Sequence, residues 1–426
     1  MAALRIGMLP DEFWWASGVE NTAVPQSRPG HRSLDEFELM SHYEHWKEDL
    51  AVSQQLGIRA IRWGAPWYRL EPRPGVFDWS WTDQVLPFVV QDLGLTPIVD
   101  LMHYGCPLWL KREFASEEYP KAVARYASEF ARRYRGLVQF YTPLNEPVVN
   151  ALMCGKRGLW PPYLRGDAGY IRLLLQIANG IVQTATALRA VHPECTLVFV
   201  EATGLSRTAN AELEPLAVED QHRAYVCFDL ITGRVDKDHP LYTWLLRNGA
   251  APSVLDELAR SPVKIDVLGM NFYPQWSVKQ LYITKRGRIA SRVFEGGESF
   301  SSLIEDYFRR YRVPIMITET SAFGSDDVRT AWLQASLAAI KSLRSRGVPV
   351  CGYTWFPMHT MIDWRYRFGT ESADKYRIEL GMFTLPDRDD VPRWHPTALV
   401  AQFRKCIEQP LESIGPFREQ LEARNE

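Results

Sequence analysis

Two glutamates stand directly after short apolar runs that are typical of buried β-strands. Glu146, in Asn145-Glu146-Pro147, follows the run 137–141, and Glu319 follows the run 314–317. Cleavage of a glycosidic bond needs two carboxyl groups, because one protonates the leaving oxygen while the other attacks carbon or activates water. The pair therefore indicates this chemistry, although a single Asn-Glu-Pro is more simply explained as a strand-end carboxylate held by backbone amides or an arginine.

Eight apolar runs alternate with eight helical patterns, which is typical of parallel βα units. The predicted strands span 13–18, 58–63, 96–102, 137–141, 196–200, 265–270, 314–317 and 348–355. The predicted helices span 43–56, 81–93, 121–134, 171–192, 218–231, 302–311, 330–346 and 396–407. We therefore predict an α/β fold, a single (β/α)8 TIM barrel over residues 1–426, with strand-end side chains on its catalytic face. The long connections 20–40, 205–214, 279–299 and 356–376 are expected to form loops at its rim.

Composition narrows the class of protein further. The chain has 426 residues, is 46% hydrophobic and carries a net charge of −2, so neither nucleic acid nor a membrane surface is an expected partner. The six cysteines form no close cluster, and neither a signal peptide nor a membrane span is evident, which predicts a cytoplasmic protein. No nucleotide-binding loop is present, and His42 and His45 have no evident third ligand, so we predict no cofactor and no metal.

The order of the strand-end motifs resembles glycoside hydrolase family 1, the β-glucosidase-type retaining glycosidases. The resemblance runs from about residue 13 to about residue 407. It rests on Phe13-Trp14-Trp15-Ala16, Trp46-Lys47-Glu48-Asp49 with the stretch 56–63, His103-Tyr104-Gly105-Cys106-Pro107, Asn145-Glu146-Pro147, Asn271-Phe272-Tyr273, Thr318-Glu319-Thr320, and Trp355 with Asp363-Trp364. Each motif is weak alone, but together and in order they are specific.

The resemblance implies a role for each matching residue. Glu146 would be the general acid and then the general base, which requires a raised pKa, and Glu319 would be an ionised nucleophile. Arg62 and Tyr273 would donate hydrogen bonds to Glu319. The implied sugar-binding residues are His103, Asn145, Asn271, Trp355 as the floor of the subsite, Asp363 and Trp364.

Three departures from the family pattern fall on sugar recognition. The glutamine that follows the first strand in the family is absent, and we expect Glu20 to take over part of its role. Asp363 stands where the family more often has glutamate, and Thr320 replaces the usual asparagine. The two carboxylates are retained, so the reaction type is better predicted than the sugar.

We therefore predict a retaining β-glycosidase of the β-glucosidase type, with a small glycoside or oligosaccharide as substrate. Three alternatives stay open: a transglycosidase, a related barrel glycosidase acting on other glycans, and a sugar-binding protein with weak or lost catalysis. The sequence leaves open the sugar, the linkage, the aglycone, the pH optimum and whether the protein is a monomer or a homodimer.

Overall fold

The structure, a computed structural model, describes residues 13–294, 297–385 and 392–409. Eight parallel strands close into a barrel in which each strand pairs with the strands before and after it in the chain, and the first pairs with the last. We number them β1 to β8: Trp14–Gly18, Ala60–Gly64, Thr96–Asp100, Phe140–Thr142, Thr196–Ala202, Val267–Asn271, Ile315–Thr320 and Val350–Trp355. The predicted barrel is confirmed.

Helices cover the barrel and extend its connections. The α-helices are Glu36–Leu39, His42–Ala51, Trp67–Leu70, Thr82–Pro87, Tyr119–Tyr134, Pro147–Ala151, Gly166–Val191, Glu214–Ile231, Tyr242–Arg247, Pro252–Arg260, Phe300–Tyr311, Asp326–Ser345 and Ala398–Glu408. Two π-helical turns, Phe88–Asp92 and Leu152–Lys156, extend the helices before them, and short 3-10 turns occupy other connections. No helix in the described ranges is long and apolar enough to cross a bilayer.

The barrel interior is filled by side chains that point inward from alternate strand positions, as the two-residue period of a strand requires. Members of this inner cluster include Trp14 and Ala16 on β1, Phe140 on β4, and Val198 and Val200 on β5. A second, larger set of apolar side chains lies between the strands and the helices. This packing holds the carboxyl ends of the strands in fixed positions, which is where the candidate catalytic residues lie.

Two of the predicted loops contain regular structure. The stretch 205–214 includes the strand Leu205–Thr208, and 279–299 includes most of the hairpin formed by Val278–Ile283 and Ile289–Phe294. These three strands form a separate sheet in which Leu205–Thr208 pairs in parallel with Val278–Ile283. The prediction of plain loops was wrong here, because the partners of this pairing lie about seventy residues apart in sequence.

Candidate active site

Glu146 and Glu319 lie at the same end of the barrel, although they come from two strands that are not neighbours, β4 and β7. Glu319 is the penultimate residue of β7, and Glu146 follows β4 at the start of the helix Pro147–Ala151. The backbone of Glu146 has a φ of 46°, in the left-handed region that a non-glycine residue adopts only when its surroundings hold it there. Its amide donates to the carbonyl of Val200 at 3.2 Å, and Asn150 Nδ2 donates to its carbonyl at 3.0 Å.

Two donors hold the carboxylate of Glu319. Arg62, at the end of β2, donates from Nη1 to Oε1, and Tyr273 donates from its hydroxyl to Oε2 at 2.8 Å. Arg62 is itself fixed by Asp100, since its Nη2 lies 2.8 Å from Asp100 Oδ2. The structure thus places Arg62 and Tyr273 on Glu319, as the resemblance implied.

Burial raises the pKa of Glu319 to about 7, because the charged form loses its hydration; Arg62 opposes this rise and the charge of Glu146 adds to it. Near neutral pH, therefore, Glu319 is only partly ionised in the free protein. This qualifies the expectation of a fully ionised nucleophile. The positive charge of Arg62 lowers the pKa of Glu319 and so favours its ionised form.

A different pair of donors holds the carboxylate of Glu146. Asn271 Nδ2 donates to Oε1 at 2.8 Å, and the hydroxyl of Tyr104 donates to Oε2. Glu146 and Glu319 therefore share no donor, yet each charge raises the pKa of neighbouring groups on both sides of the pocket, Tyr104 and Tyr273 included. The two carboxyl groups are therefore close enough for the charge of one to affect the pKa of the other.

Asn145 links the two halves of the site. Its Oδ1 accepts from Arg62 Nη2 at 2.7 Å and from Asn271 Nδ2 at 3.2 Å, while its Nδ2 lies 3.1 Å from His103 Nε2. Because an arginine can only donate, this oxygen must face it, and the amide nitrogen must face His103. Asn145 is fully buried behind the pocket wall.

His103 is oriented by the acidic residue at the end of β3. Its Nδ1 lies 2.9 Å from Asp100 Oδ2, and its Nε2 lies 3.8 Å from Glu20 Oε1. Burial lowers the pKa of His103, but the hydrogen bond to Asp100 and the charges of Glu20 and Asp100 outweigh it and raise the pKa overall. Glu20 also accepts from the amide of Thr22 at 2.8 Å, so its carboxylate is held beside His103.

These side chains line the inner part of a cavity of about 560 Å³, a size typical of small-molecule sites. Eight of the eleven predicted site residues line it: Glu20, His103, Glu146, Asn271, Tyr273, Glu319, Asp363 and Trp364. Arg62 and Asn145 lie behind this layer and act on it through hydrogen bonds. The outer part of the cavity is lined by residues that sequence reasoning did not identify, among them Val148, Leu152, Trp244 and Trp276.

Trp355 lies elsewhere than the prediction placed it. It is fully buried, is not part of the cavity lining, and donates from its indole to the carbonyl of Leu380 at 3.0 Å. The next residue, Phe356, stacks on His103 with ring centroids 6.3 Å apart and an interplanar angle of 14°. In this structure Trp355 packs as a core residue, so the prediction that it forms the floor of the sugar subsite is corrected.

Asp363 and Trp364 are in the cavity wall, as predicted, but Asp363 is already engaged. Its Oδ1 caps the turn Trp364–Phe368 by accepting from the amide of Arg365 at 2.8 Å, and its Oδ2 accepts from Arg365 Nε at 2.6 Å. Trp364 packs edge-on against Tyr104 at 5.3 Å and against Trp160 at 5.0 Å.

Sequence reasoning missed Asp100 and Tyr104 as members of the site. Tyr104 occurs in the His103-Tyr104 motif, where the family pattern has a tryptophan, and this change adds a hydroxyl. This difference from the family pattern could have identified Tyr104 as a site residue from the sequence. Asp100 ends β3 as an acidic residue that is fully buried, which a lone sequence does not distinguish from an exposed one.

Comparison with known proteins agrees with this geometry. The sequence profile described as Glycosyl hydrolase family 1 matches residues 30–226. The chain is 23% identical over 366 residues to Beta-glucosidase A of Thermotoga maritima, which covers 78% of this chain and 82% of that protein. It is 22% identical to the Aryl-phospho-beta-D-glucosidase BglA of Bacillus subtilis over 76% of each chain. It is 21% identical to the chloroplastic Galactolipid galactosyltransferase SFR2 of Arabidopsis thaliana, over 81% of this chain and 54% of that protein.

The fold is also that of a solved structure. Beta-glucosidase from Thermotoga maritima in complex with castanospermine superimposes with a TM-score of 0.80 at 18% sequence identity, covering 94% of this chain and 98% of that one. At this identity the superposition establishes the fold.

Proposed function

The chain is a divergent member of glycoside hydrolase family 1, and from this premise we propose that it cleaves β-linked glycosides with Glu319 as nucleophile and Glu146 as acid and base. It is a glycoside hydrolase of the retaining β-glycosidase type, acting on O-glycosyl bonds. One observation carries the assignment of roles: both carboxyl groups line one cavity, and of these two Glu319 is the one that is bonded to a cation in the part of the chain that the structure describes.

In the first step an oxygen of Glu319 forms a bond to the anomeric carbon while the bond from that carbon to the aglycone oxygen breaks. The proton of Glu146 passes to the departing oxygen, so the aglycone leaves as a neutral alcohol or phenol. Arg62 stabilises the ionised form of Glu319 that this attack requires, which is why we place the proton of the pair on Glu146.

In the second step Glu146, now a carboxylate, takes a proton from water. The water oxygen bonds to the anomeric carbon, and the ester bond to Glu319 breaks, which restores both side chains. Two inversions at the same carbon leave its configuration unchanged. The cavity residues His103, Asn271 and Glu20 would contact the sugar hydroxyls in both steps.

The decisive test is trapping of the nucleophile. The protein is incubated with 2-deoxy-2-fluoro-β-glycosides of several sugars that carry good leaving groups, and its intact mass is measured. We expect a gain of one fluoroglycosyl mass that peptide mapping places on Glu319 and that Glu319→Gln abolishes. A label on any other carboxyl would overturn the assignment. No label with any sugar, combined with saturable binding of the same probes, would favour a sugar-binding protein.

A second candidate is transfer of the sugar to an alcohol instead of water. The apolar outer part of the cavity, with Leu152, Trp244 and Trp276, is suited to hold an acceptor, and a galactosyltransferase is among the relatives. Product analysis with added alkyl alcohols separates the two reactions, because transfer yields an alkyl glycoside at the expense of free sugar.

The setting of the protein is also part of the proposal. We place it in the cytoplasm, because all six cysteines are free and five of them are buried. The substrate is a β-linked glycoside or oligosaccharide that enters the cavity from the rim.

A further inference from the structure

Glu20 is a nearly buried acidic side chain that has an unpartnered oxygen in the wall of the cavity. The side chain is only 9% exposed, and it lines the same cavity as Glu146 and Glu319. Its Oε1 accepts from the amide of Thr22 at 2.8 Å, and no group in the described ranges donates to its Oε2. Because a buried carboxylate without a cation is unfavourable, this oxygen marks a place for a positively charged partner.

His103 is the neighbour of Glu20 that could carry a positive charge, since its Nε2 lies 3.8 Å from Glu20 Oε1. Asn145 Nδ2 lies 3.1 Å from the same Nε2, and Asn145 Oδ1 faces Arg62, which can only donate. The amide nitrogen therefore donates to Nε2, which assigns the ring proton to Nδ1, beside Asp100. Although the pKa of His103 is raised, its protonation would set two N–H groups against each other at this contact.

The other cations of the site form no ion pair with Glu20. Arg62 donates to Asp100 and Asn145. It also donates to Glu319. The remaining lysines and arginines of the cavity lining are not within ion-pair distance of Glu20 in the part of the chain that the structure describes: Lys156, Arg157, Arg223 and Lys279. Within this lining, no lysine or arginine therefore balances the charge of Glu20.

The other carboxyl groups predicted for the site differ from Glu20 in this respect. Glu319 is bonded to Arg62. Asp363 accepts from Arg365 Nε at 2.6 Å. The general acid carries a proton in the proposed mechanism and needs no cation. Glu20 is therefore the carboxyl group of this set for which the described residues provide no settled positive partner.

The negative charge of Glu20 also acts on its neighbours. Burial raises the pKa of Glu36 well above its ordinary value, and the charge of Glu20 raises it further. Burial likewise raises the pKa of Glu319 to about 7, and the charge of Glu20 is one of the contributions in the same direction. A cation bound against Glu20 would offset that contribution and favour the ionised nucleophile that the reaction needs.

On the basis of the proposed function, we propose that the sugar cleaved by this protein carries an ammonium group and that Glu20 binds it. The substrate class is a β-glycoside of an amino sugar with a free amine. An ammonium offers three N–H donors, whereas a hydroxyl offers one, and a carboxylate only accepts. We expect the amine on carbon 3, 4 or 6 of the sugar, because a positive charge on carbon 2 would oppose the charge that develops at the anomeric carbon.

The test compares Glu20→Gln, which removes the charge and keeps the shape of the side chain, with Glu379→Gln as matched control. Glu379 lies between Ile378 and Leu380, which line the cavity, but it is itself outside the lining, and its Oε2 accepts from Thr360 Oγ1 at 2.8 Å. The substrates are 4-nitrophenyl β-glucoside and β-galactoside, and their analogues in which the hydroxyl on carbon 3, 4 or 6 is replaced by an amine. The measured quantity is kcat/KM at neutral pH.

For the wild type we expect one amine position at which kcat/KM exceeds that of the parent glycoside by about 10- to 100-fold, because the hydrogen bond joins two charged groups. Glu20→Gln should remove this preference, and Glu379→Gln should retain it. A wild type that cleaves no amino analogue faster than its parent overturns the proposal and would assign the positive partner of Glu20 to His103. A preference that persists in Glu20→Gln overturns it as well.

A second measurement does not depend on turnover. Titration calorimetry measures the binding of methyl β-glucoside, methyl β-galactoside and their 3-, 4- and 6-amino analogues to Glu319→Gln protein, with and without Glu20→Gln. We expect one amino analogue to bind about 10- to 100-fold more tightly than its parent, and this difference to vanish when Glu20 is replaced. Equal or weaker binding at every position refutes the inference. Failure of the proposed function would appear differently, as a missing label on Glu319 with the binding preference intact.

Discussion

Replacement of Tyr273 by phenylalanine tests how the nucleophile is kept ionised. The hydroxyl of Tyr273 donates to Glu319 Oε2 at 2.8 Å, and Glu319 is 5% exposed, so water replaces this donor poorly. A hydrogen bond to a charged group contributes about 1.5–3 kcal/mol, and about 1.4 kcal/mol corresponds to one pH unit. Because the bond favours the carboxylate, its loss should raise the pKa of Glu319, which is about 7, by about one to two pH units.

The acid limb of kcat/KM reports this pKa in the free enzyme, because only ionised Glu319 attacks. We expect the limb to move to higher pH in Tyr273→Phe, so that kcat/KM at pH values below both pKa values falls about 10- to 100-fold. The assay uses a dinitrophenyl β-glycoside, whose departure needs little help from Glu146.

Tyr353→Phe is the matched control, since Tyr353 is buried on β8 and its hydroxyl pairs with Ser336 Oγ at 2.9 Å. It is expected to leave the acid limb in place. If the limb of Tyr273→Phe stays where it is or moves to lower pH, the hydrogen bond does not favour the carboxylate and the reasoning is wrong.

Three further perturbations test other parts of the structure by urea unfolding. Arg62→Met leaves the buried carboxylate of Asp100 without its cation and is expected to cost about 3–5 kcal/mol; a cost near zero would mean that the ion pair is not formed. Burial raises the pKa of Asp229, but its hydrogen bonds to His239 and Arg310 outweigh burial and lower the pKa overall. The ionised side chain therefore stabilises the fold fully above the unfolded-state pKa of about 3.9, and this stabilisation is lost as the pH falls through the lower pKa of the folded state. The stability gap to Asp229→Asn should therefore shrink only below about pH 4, and a gap that is constant down to pH 2 contradicts this. A Cβ on Gly155 would lie 2.7 Å from the carbonyl oxygen of Gly169, so Gly155→Ala should lower the free energy of unfolding by about 1–3 kcal/mol. The control Gly136→Ala, whose Cβ would meet open space, should lower it by less than about 1 kcal/mol.

The sequence predicted the barrel well because each strand and helix carries its own periodic signal. Most helix and strand boundaries in the structure differ from the predicted ones by a few residues. The strand predicted over 137–141, for example, spans Phe140–Thr142. The strand Leu205–Thr208 was not predicted, since its pairing with Val278–Ile283 is non-local. The hairpin of Val278–Ile283 and Ile289–Phe294 was also missed, although its own pairing is local. The assignment of residues 1–426 to one domain stays a prediction, because parts of that range lie outside the described residues.

The site shows the same division. Arg62, Tyr273 and Asn271 lie beside the two carboxyl groups, because strand-end position fixes which way a side chain points in a parallel barrel. Trp355 does not, since a large apolar residue at a strand end can face the cavity or the core, and the turn that follows it decides which. In this chain Phe356 takes the place beside His103.

The sequence by itself determined the fold class and the resemblance to glycoside hydrolase family 1, and it predicted the two carboxyl groups, because these follow from local periodicity and from short motifs in a fixed order. Only the tertiary structure decided which groups surround each carboxyl. Tyr104 meets Glu146 across 42 residues of sequence, and Arg62 meets Glu319 across 257. The protonation of a buried carboxyl depends on such neighbours and on the loss of water around it, and neither is encoded in any single stretch of the chain.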